Sequence, residues 1–209
     1  MAPAEMDFTT SKGVKVKTNI KEIQGNWDLG YTLDKHILSS TPLGENEHGH
    51  MQFDTIRSDV GEAVYRLKYK GDLTQASALA KAINNNLMPL FGKVDVIIPM
   101  AASTQRAVQP VSEVVSHLSG LSGIDWYQKW LCKAPGGISL KDLQGREARE
   151  EALEGTLSLS GGLQGNGTVN VLVVDDLYQT GASIEAACAV IGSYARIGKI
   201  YVAALTRKY

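Results

Sequence analysis

One segment, residues 171–191, constrains the fold of this chain more than any other. Four apolar residues, Val171 to Val174, run directly into two acids, Asp175 and Asp176. A turn of small residues follows, and after it apolar residues recur at helical spacing from Ile184 onward. A short β-branched run is typical of a strand that is buried on both faces. The segment therefore predicts a buried strand, a tight turn and a helix in direct succession.

Strand and helix patterns alternate along much of the chain. Strand-like runs occur at Val94–Pro99, Val169–Val174 and Ile200–Leu205. Apolar residues at helical spacing occur over residues 76–87, 111–118 and 184–191. Such alternation implies right-handed crossovers between parallel strands. We therefore predict an α/β fold, in which a mostly parallel central sheet is flanked by helices.

The remaining segments carry weaker patterns. Alternating apolar residues at 14–20 predict a strand, and residues 39–49 are rich in turn formers. We expect residues 1–57 to form a small N-terminal cap, or hood, on a core of residues 58–209. The four glycines of Gly161–Gly167 favour a flexible connection.

Composition is consistent with one domain over residues 1–209. The chain is 44% hydrophobic and 21% charged, so it can bury a core without disulfides. Its two cysteines suit a reducing compartment, and no apolar run approaches the roughly 20 residues of a membrane-spanning helix. We expect a cytoplasmic protein without a membrane partner. The formal charge of −1 makes direct nucleic-acid binding unexpected.

The acids and the turn after them offer a consistent chemistry. Asp175 and Asp176 can accept hydrogen bonds from a pair of ribose hydroxyls and can reach Mg²⁺. Thr180 and Ser183 offer hydroxyl donors, and Gly181 permits close backbone approach to an anion. The helix that begins near Ala182 presents free N–H groups to the same anion. The alternative is a solvated Asp-Asp turn followed by an ordinary helix cap.

The order of these residues resembles the signature of type I phosphoribosyltransferases. The resemblance implies that Asp175 and Asp176 bind the ribose hydroxyls and Mg²⁺. It implies that the segment Gln179, Thr180, Gly181, Ala182 and Ser183 binds the 5′-phosphate of 5-phosphoribosyl-1-pyrophosphate, or of a ribose 5-phosphate nucleotide. Gln179 stands where many members of the family carry a second threonine.

Three further segments are similar to the ComF-like (competence protein ComF) branch of that superfamily. The first is Leu67–Asp72, which contains Lys68. The second begins with Ile97 and continues through Met100, Ala101 and Ala102 to Arg106, in the region that binds pyrophosphate in the family. The third is Leu140–Glu151, where the family has a mobile catalytic loop with basic residues such as Arg146 and Arg149. The chain lacks the four-cysteine zinc ribbon with which ComF-like proteins often begin.

The resemblance implies a Mg²⁺-dependent enzyme that transfers a phosphoribosyl group to a base or related acceptor and releases pyrophosphate. The implied catalytic residues are Asp175, Asp176, Arg106 and Arg146, and the implied substrate contacts include Lys68 and residues 100–102. A solvated lysine remains an alternative for Lys68, as does a solvated helix for Arg146. The second hypothesis is a regulator or adaptor that binds the sugar phosphate with little or no turnover, including one in DNA uptake or handling. Members of the family are frequently homodimers.

Overall fold

The computed structural model describes residues 16–102, 104, 106–134 and 155–208. The strands are β1 (Lys21–Glu22), β2 (Leu29–Lys35), β3 (Ile37–Glu45), β4 (Met51–Arg57), β5 (Val96–Pro99), β6 (Leu131–Lys133), β7 (Leu157–Leu159), β8 (Val169–Tyr178) and β9 (Ile197–Arg207). The helices are α1 (Asp59–Tyr69), α2 (Thr74–Asn86), α3 (Pro110–Ser122) and α4 (Ala182–Gly192), and a 3₁₀ turn lies at Met88–Leu90.

The five strands of the central sheet lie in the order β1-β2-β9-β8-β5. The pairs β2–β9, β9–β8 and β8–β5 are parallel, and β1 pairs with β2 in the antiparallel sense. Helices cover both faces, so the predicted α/β fold with a mostly parallel sheet is confirmed. Because the carboxyl ends of parallel strands meet at one edge, this order brings the ends of β5, β8, β9 and β2 together.

Side chains of β8 explain why helices cover both faces. Leu172 and Val174 are buried in one cluster with residues of α1, α2 and α3. Val171 and Val173 are buried in a second cluster with residues of α4. Successive strand residues point to opposite faces, so a run without polar residues needs cover on both sides. The sheet therefore lies between two apolar layers.

Residues of the predicted cap form two different structures. Strand β2 belongs to the central sheet, and its Leu33 is fully buried in the core. Strands β3 and β4 form a separate two-stranded sheet, in which Leu43 is 69% exposed and Phe53 is 55% exposed. The role of residues 1–57 as a cap stays a prediction.

Three further details differ from the sequence-based expectations. Residues 16–20 are not in a strand, so the strand predicted from the alternating pattern at 14–20 is wrong for these residues. Helix α1 was not predicted. The glycine-rich loop at 160–167 is held in place, since the Arg196 guanidinium donates to the carbonyls of Leu163, Gln164 and Gly167 at 2.7–3.0 Å.

Among the described residues no helix is both long and apolar enough to span a membrane.

Candidate functional site

The acid pair lies at the carboxyl end of β8, where the apolar run ends. The strand continues through both acids to Tyr178, because its pairing with β9 extends to Leu177 with Thr206 and to Tyr178 with Arg207. The Asp175 and Asp176 side chains are therefore held by a rigid strand and not by a mobile turn. The main-chain N–H of Asp176 donates to Oδ1 of Asp175 at 2.8 Å.

Lys68 forms an ion pair with Asp176. Its Nζ donates to Oδ2 of Asp176, and the two side chains are 28% and 18% exposed. Burial by itself lowers the pKa of Lys68, but the charge and the hydrogen bond of Asp176 outweigh that effect and leave the pKa raised. Lys68 is therefore a cation, fixed at the acid pair from the last turn of α1.

Asp175 is held in its neutral form more readily than an ordinary carboxyl. Burial is the main cause, and the neighbouring charge of Asp176 adds to it, so the pKa of Asp175 is raised from 3.8 to about 7. The Asp176 N–H and the charge of Lys68 oppose this rise. Two adjacent carboxyls that share one cation cannot both ionise easily.

A second network connects Asp176 with β9 and with the end of β2. The Thr206 hydroxyl donates to the main-chain carbonyl of Asp176 at 2.8 Å, and its oxygen lies 3.2 Å from Nδ1 of His36. The pKa of His36 is lowered by burial and by the charges of Arg57 and Lys68, with Asp176 acting in the opposite sense. His36 is therefore a neutral imidazole at neutral pH.

The turn after β8 has the backbone that its glycine predicts. Gly181 has φ +88°, a left-handed conformation, and it directly precedes α4. A Cβ at this position would lie 3.2 Å from the Tyr178 ring. Gly181 has no side chain and therefore gives no capping hydrogen bond to the first turn of α4. The N–H groups of that turn are thus available to an anion.

The remaining residues of the turn are accessible. Gln179, Thr180 and Ser183 are half-buried, whereas Ala182 is buried. The Trp27 ring meets the Tyr178 ring edge-on, with centroids 6.5 Å apart. Asn26 Nδ2 donates to the Glu185 carbonyl in the first turn of α4 at 2.8 Å. Asn26 and Trp27 thus contact residues on either side of the turn. The sequence-based prediction did not include these contacts.

The segment after β5 lies beside the acid pair. The Met100 N–H donates to the Val174 carbonyl at 2.8 Å, which keeps residue 100 next to the end of β8. Ala101 is half-buried and Ala102 is exposed. The Arg106 guanidinium donates to the Lys68 carbonyl at 2.8 Å. A cavity of about 200 Å³ lies between Lys68 and Arg106, and Leu67, Gly71, Leu73, Val108 and Pro110 also line it.

One edge of the sheet thus carries the acid pair together with Lys68, Met100 and Arg106. Arg146 and the predicted loop at 140–151 lie outside the described residues. Roles in binding or catalysis stay predictions for all of them. His36 and Thr206 were missed because they lie 170 positions apart in sequence, and no local motif signals their contact.

The two carboxylates at this edge suit a Mg²⁺ site in which the substrate and water supply the other ligands. In the described part of the chain, no group of three or more His, Cys, Asp or Glu side chains could hold a metal. Mg²⁺ commonly takes one or two carboxylates and completes its shell with substrate oxygens and water. Asp175 and Asp176 fit a metal that arrives with a phosphorylated ligand.

No family model matches the chain, and no curated protein matches it. Among solved structures, adenine phosphoribosyltransferase from Leishmania tarentolae is similar at TM-score 0.46 and 10% identity, over 91% of this chain and 95% of that chain. The enzyme of the same description from Saccharomyces cerevisiae has TM-score 0.39 and 16% identity, over 80% and 85%. A hypoxanthine phosphoribosyltransferase from Staphylococcus aureus has TM-score 0.39 and 9% identity, over 64% and 66%. Likenesses of this size carry no argument about the function of this chain.

Proposed function

We propose that this protein is a Mg²⁺-dependent phosphoribosyltransferase that binds 5-phosphoribosyl-1-pyrophosphate. The observation that carries the proposal is the succession of a rigid acid pair, a left-handed glycine and an uncapped helix start at one sheet edge. The acids suit the ribose hydroxyls, and the helix start suits the 5′-phosphate. The sequence resemblance described above predicts the same ligand from the same residues.

Each group has a distinct part in the proposed reaction. Asp175 and Asp176 would hold Mg²⁺, which neutralises charge on the pyrophosphate when it is bound. Lys68, which binds Asp176, and Arg106, which donates to the Lys68 carbonyl, would add positive charge near the pyrophosphate. Stabilising the negative charge that develops on the leaving group is the main electrostatic demand of this transfer.

The decisive experiment measures phosphoribosyl pyrophosphate binding by calorimetry, with and without Mg²⁺. Wild-type protein is compared with the double variant Asp175→Asn, Asp176→Asn. We expect Mg²⁺-dependent binding by wild type and loss of at least 10-fold in affinity for the variant, because the carboxyl acceptors and the metal contact are removed.

A matched control removes the same charge elsewhere. Asp54 and Asp125 are both exposed, and Asp54→Asn, Asp125→Asn should bind like wild type. Absence of binding by wild type both with and without Mg²⁺, or an equal loss in both double variants, would contradict the proposal.

One observation favours a second candidate, a binding protein with little turnover. In the described part of residues 100–106, Arg106 is the only basic residue, and it is already directed to the Lys68 carbonyl. Pyrophosphate release in the presence of a panel of bases distinguishes the two functions. Binding without any release favours a regulator, and measurable release favours the enzyme.

A further inference from the structure

His36 lies at the same sheet edge as the acid pair. It directly follows β2, which is parallel to β9, and β9 is parallel to β8. Its main-chain N–H donates to the Arg207 carbonyl at 2.8 Å, which fixes the chain there. In the strand order, β9 and β2 lie on one side of β8, and β5 lies on the other. His36 is therefore on the side of the acid pair that faces away from the predicted pyrophosphate segment.

The hydrogen bonds of His36 determine which ring nitrogen carries the proton. The Thr206 hydroxyl has one proton, and it donates that proton to the Asp176 carbonyl. The Thr206 oxygen can then only accept from Nδ1 of His36, so Nδ1 carries a hydrogen. In a neutral ring the other nitrogen, Nε2, is left with a lone pair. The lowered pKa of His36 agrees with a neutral ring.

Nε2 is open to a ligand. Within the described residues it has no hydrogen-bond partner, and it is not among the buried side-chain atoms that lack one. It is thus an accessible acceptor, held in place by a ring whose other nitrogen is already bound. The same arrangement orients imidazoles in many catalytic and metal sites.

We infer that His36 recognises the acceptor of the transfer by accepting a hydrogen bond at Nε2, so that the acceptor presents an N–H or O–H donor to the ring. The inference rests on the proposed function. A nucleophile and a leaving group approach opposite faces of the sugar carbon. With pyrophosphate on the β5 side, the acceptor enters from the side of β9 and β2, where His36 lies.

Two substitutions at His36 distinguish the roles of the two ring nitrogens. In His36→Asn the amide N–H₂ reaches the position of Nδ1, so the bond to Thr206 is kept and the acceptor at Nε2 is lost. In His36→Gln the longer side chain brings its amide oxygen toward the position of Nε2. The asparagine variant therefore tests the contact, and the glutamine variant tests its rescue.

The probes are ribose 5-phosphate, which has no base, and the four common ribonucleoside 5′-monophosphates, measured by calorimetry with Mg²⁺. We expect at least one monophosphate to bind wild type more tightly than ribose 5-phosphate does. His36→Asn should weaken that monophosphate by about 3- to 10-fold, as expected for one lost hydrogen bond. Ribose 5-phosphate should bind both proteins equally, and His36→Gln should recover part of the loss.

Several outcomes overturn the inference, and they differ from failure of the proposed function. Equal weakening of both ligands by His36→Asn would indicate a structural role, and no weakening would indicate no contact. If neither ribose 5-phosphate nor phosphoribosyl pyrophosphate binds wild type, the proposed function itself fails. Independently of any ligand, nitrogen NMR of the four histidines, assigned with His36→Asn, should show hydrogen on Nδ1, and hydrogen on Nε2 would contradict the inference.

Discussion

At the scale of single residues, the two carboxyls of the acid pair have different partners. Lys68 binds Asp176, whereas Asp175 interacts mainly with the N–H of its neighbour. Burial and the adjacent charge then raise the pKa of Asp175 to about 7. A carboxyl of this kind keeps its proton in the folded protein at pH values where the unfolded chain has lost it.

The raised pKa of Asp175 predicts a pH-dependent contribution to stability. Between about pH 4 and pH 7 the folded state binds one proton more than the unfolded state, so the free energy of unfolding falls as pH rises through this range. Asp175→Asn removes that dependence. We expect the variant to match wild type near pH 4 and to exceed it by up to about 4 kcal/mol at pH 8, since each unit of pKa corresponds to about 1.4 kcal/mol.

Urea unfolding of both proteins at a series of pH values measures this difference. Asp125→Asn, at an exposed site, should show no such trend. A difference between Asp175→Asn and wild type that stays constant from pH 4 to pH 8 would be evidence against the raised pKa.

Residues of the candidate site differ in how far the sequence predicts them. Asp175, Asp176 and Gly181 are adjacent in the chain, so their common location follows from one strand, one turn and one helix. The bond between Lys68 and Asp176 spans 108 positions. The resemblance pointed to Lys68, but its bond to Asp176 depends on how α1 packs on the sheet. Periodicity and spacing carry no information about that packing.

At the scale of elements, the entry into α1 depends on one close backbone contact. The Ser58 hydroxyl accepts from the Gly61 N–H at 2.9 Å and donates to the Lys35 carbonyl. A Cβ at Gly61 would lie 2.0 Å from the carbonyl oxygen of His36. The first turn of α1 therefore lies directly on the backbone that connects β2 with β3.

Gly61→Ala should destabilise the protein although alanine favours helices. The clash is with backbone, which cannot rotate away, so we expect a loss of about 2–3 kcal/mol in the free energy of unfolding. Gly120→Ala in α3 is the matched control, because a Cβ there meets nothing within 4 Å. It should raise stability by about 0.5–1 kcal/mol. Equal stability changes for both variants in chemical unfolding would refute the contact.

Strong periodicity predicted the elements, but tertiary pairing set their lengths. The apolar run of β8 ends at Val174, yet the strand extends to Tyr178 because β9 continues beside it. The alternating residues 16–20 form no strand, although the Asn19 N–H donates to the Leu33 carbonyl of β2 at 2.8 Å. Burial of both faces produces an apolar pattern in the sequence of a strand. The length of the neighbouring strand produces no such pattern.

At the scale of the whole molecule, the central sheet joins distant parts of the chain. Strand β2, near one end of the described chain, lies between β1 and β9, and it pairs with β9 from Leu29 to Lys35. Its Leu33 shares a core cluster with residues of α1, α2 and α3. Residues 29–35 thus belong to the central sheet and contribute Leu33 to its buried face.

This topology predicts that the fragment 58–209 does not fold on its own. It lacks β2, so the buried strand β9 would present an open edge and an uncovered core. We expect no cooperative thermal unfolding of the fragment in circular dichroism. In the control protein, a short Gly-Ser turn replaces residues 38–56 and joins Ile37 to Arg57, which are paired neighbours. That protein should unfold cooperatively, and a cooperative transition in the fragment would argue against the prediction.

The pairing of β2 with β9 also has a consequence during synthesis. Leu29 emerges from the ribosome long before its partner Tyr201 has been translated. Nascent chains therefore expose the β9-facing edge of β2 until β9 has been translated, at an elongation rate of roughly 5–20 residues per second. The sheet acquires its final strand order only after β9 has emerged, so a translational pause between β8 and β9 would lengthen the interval in which an incomplete sheet can associate with other chains.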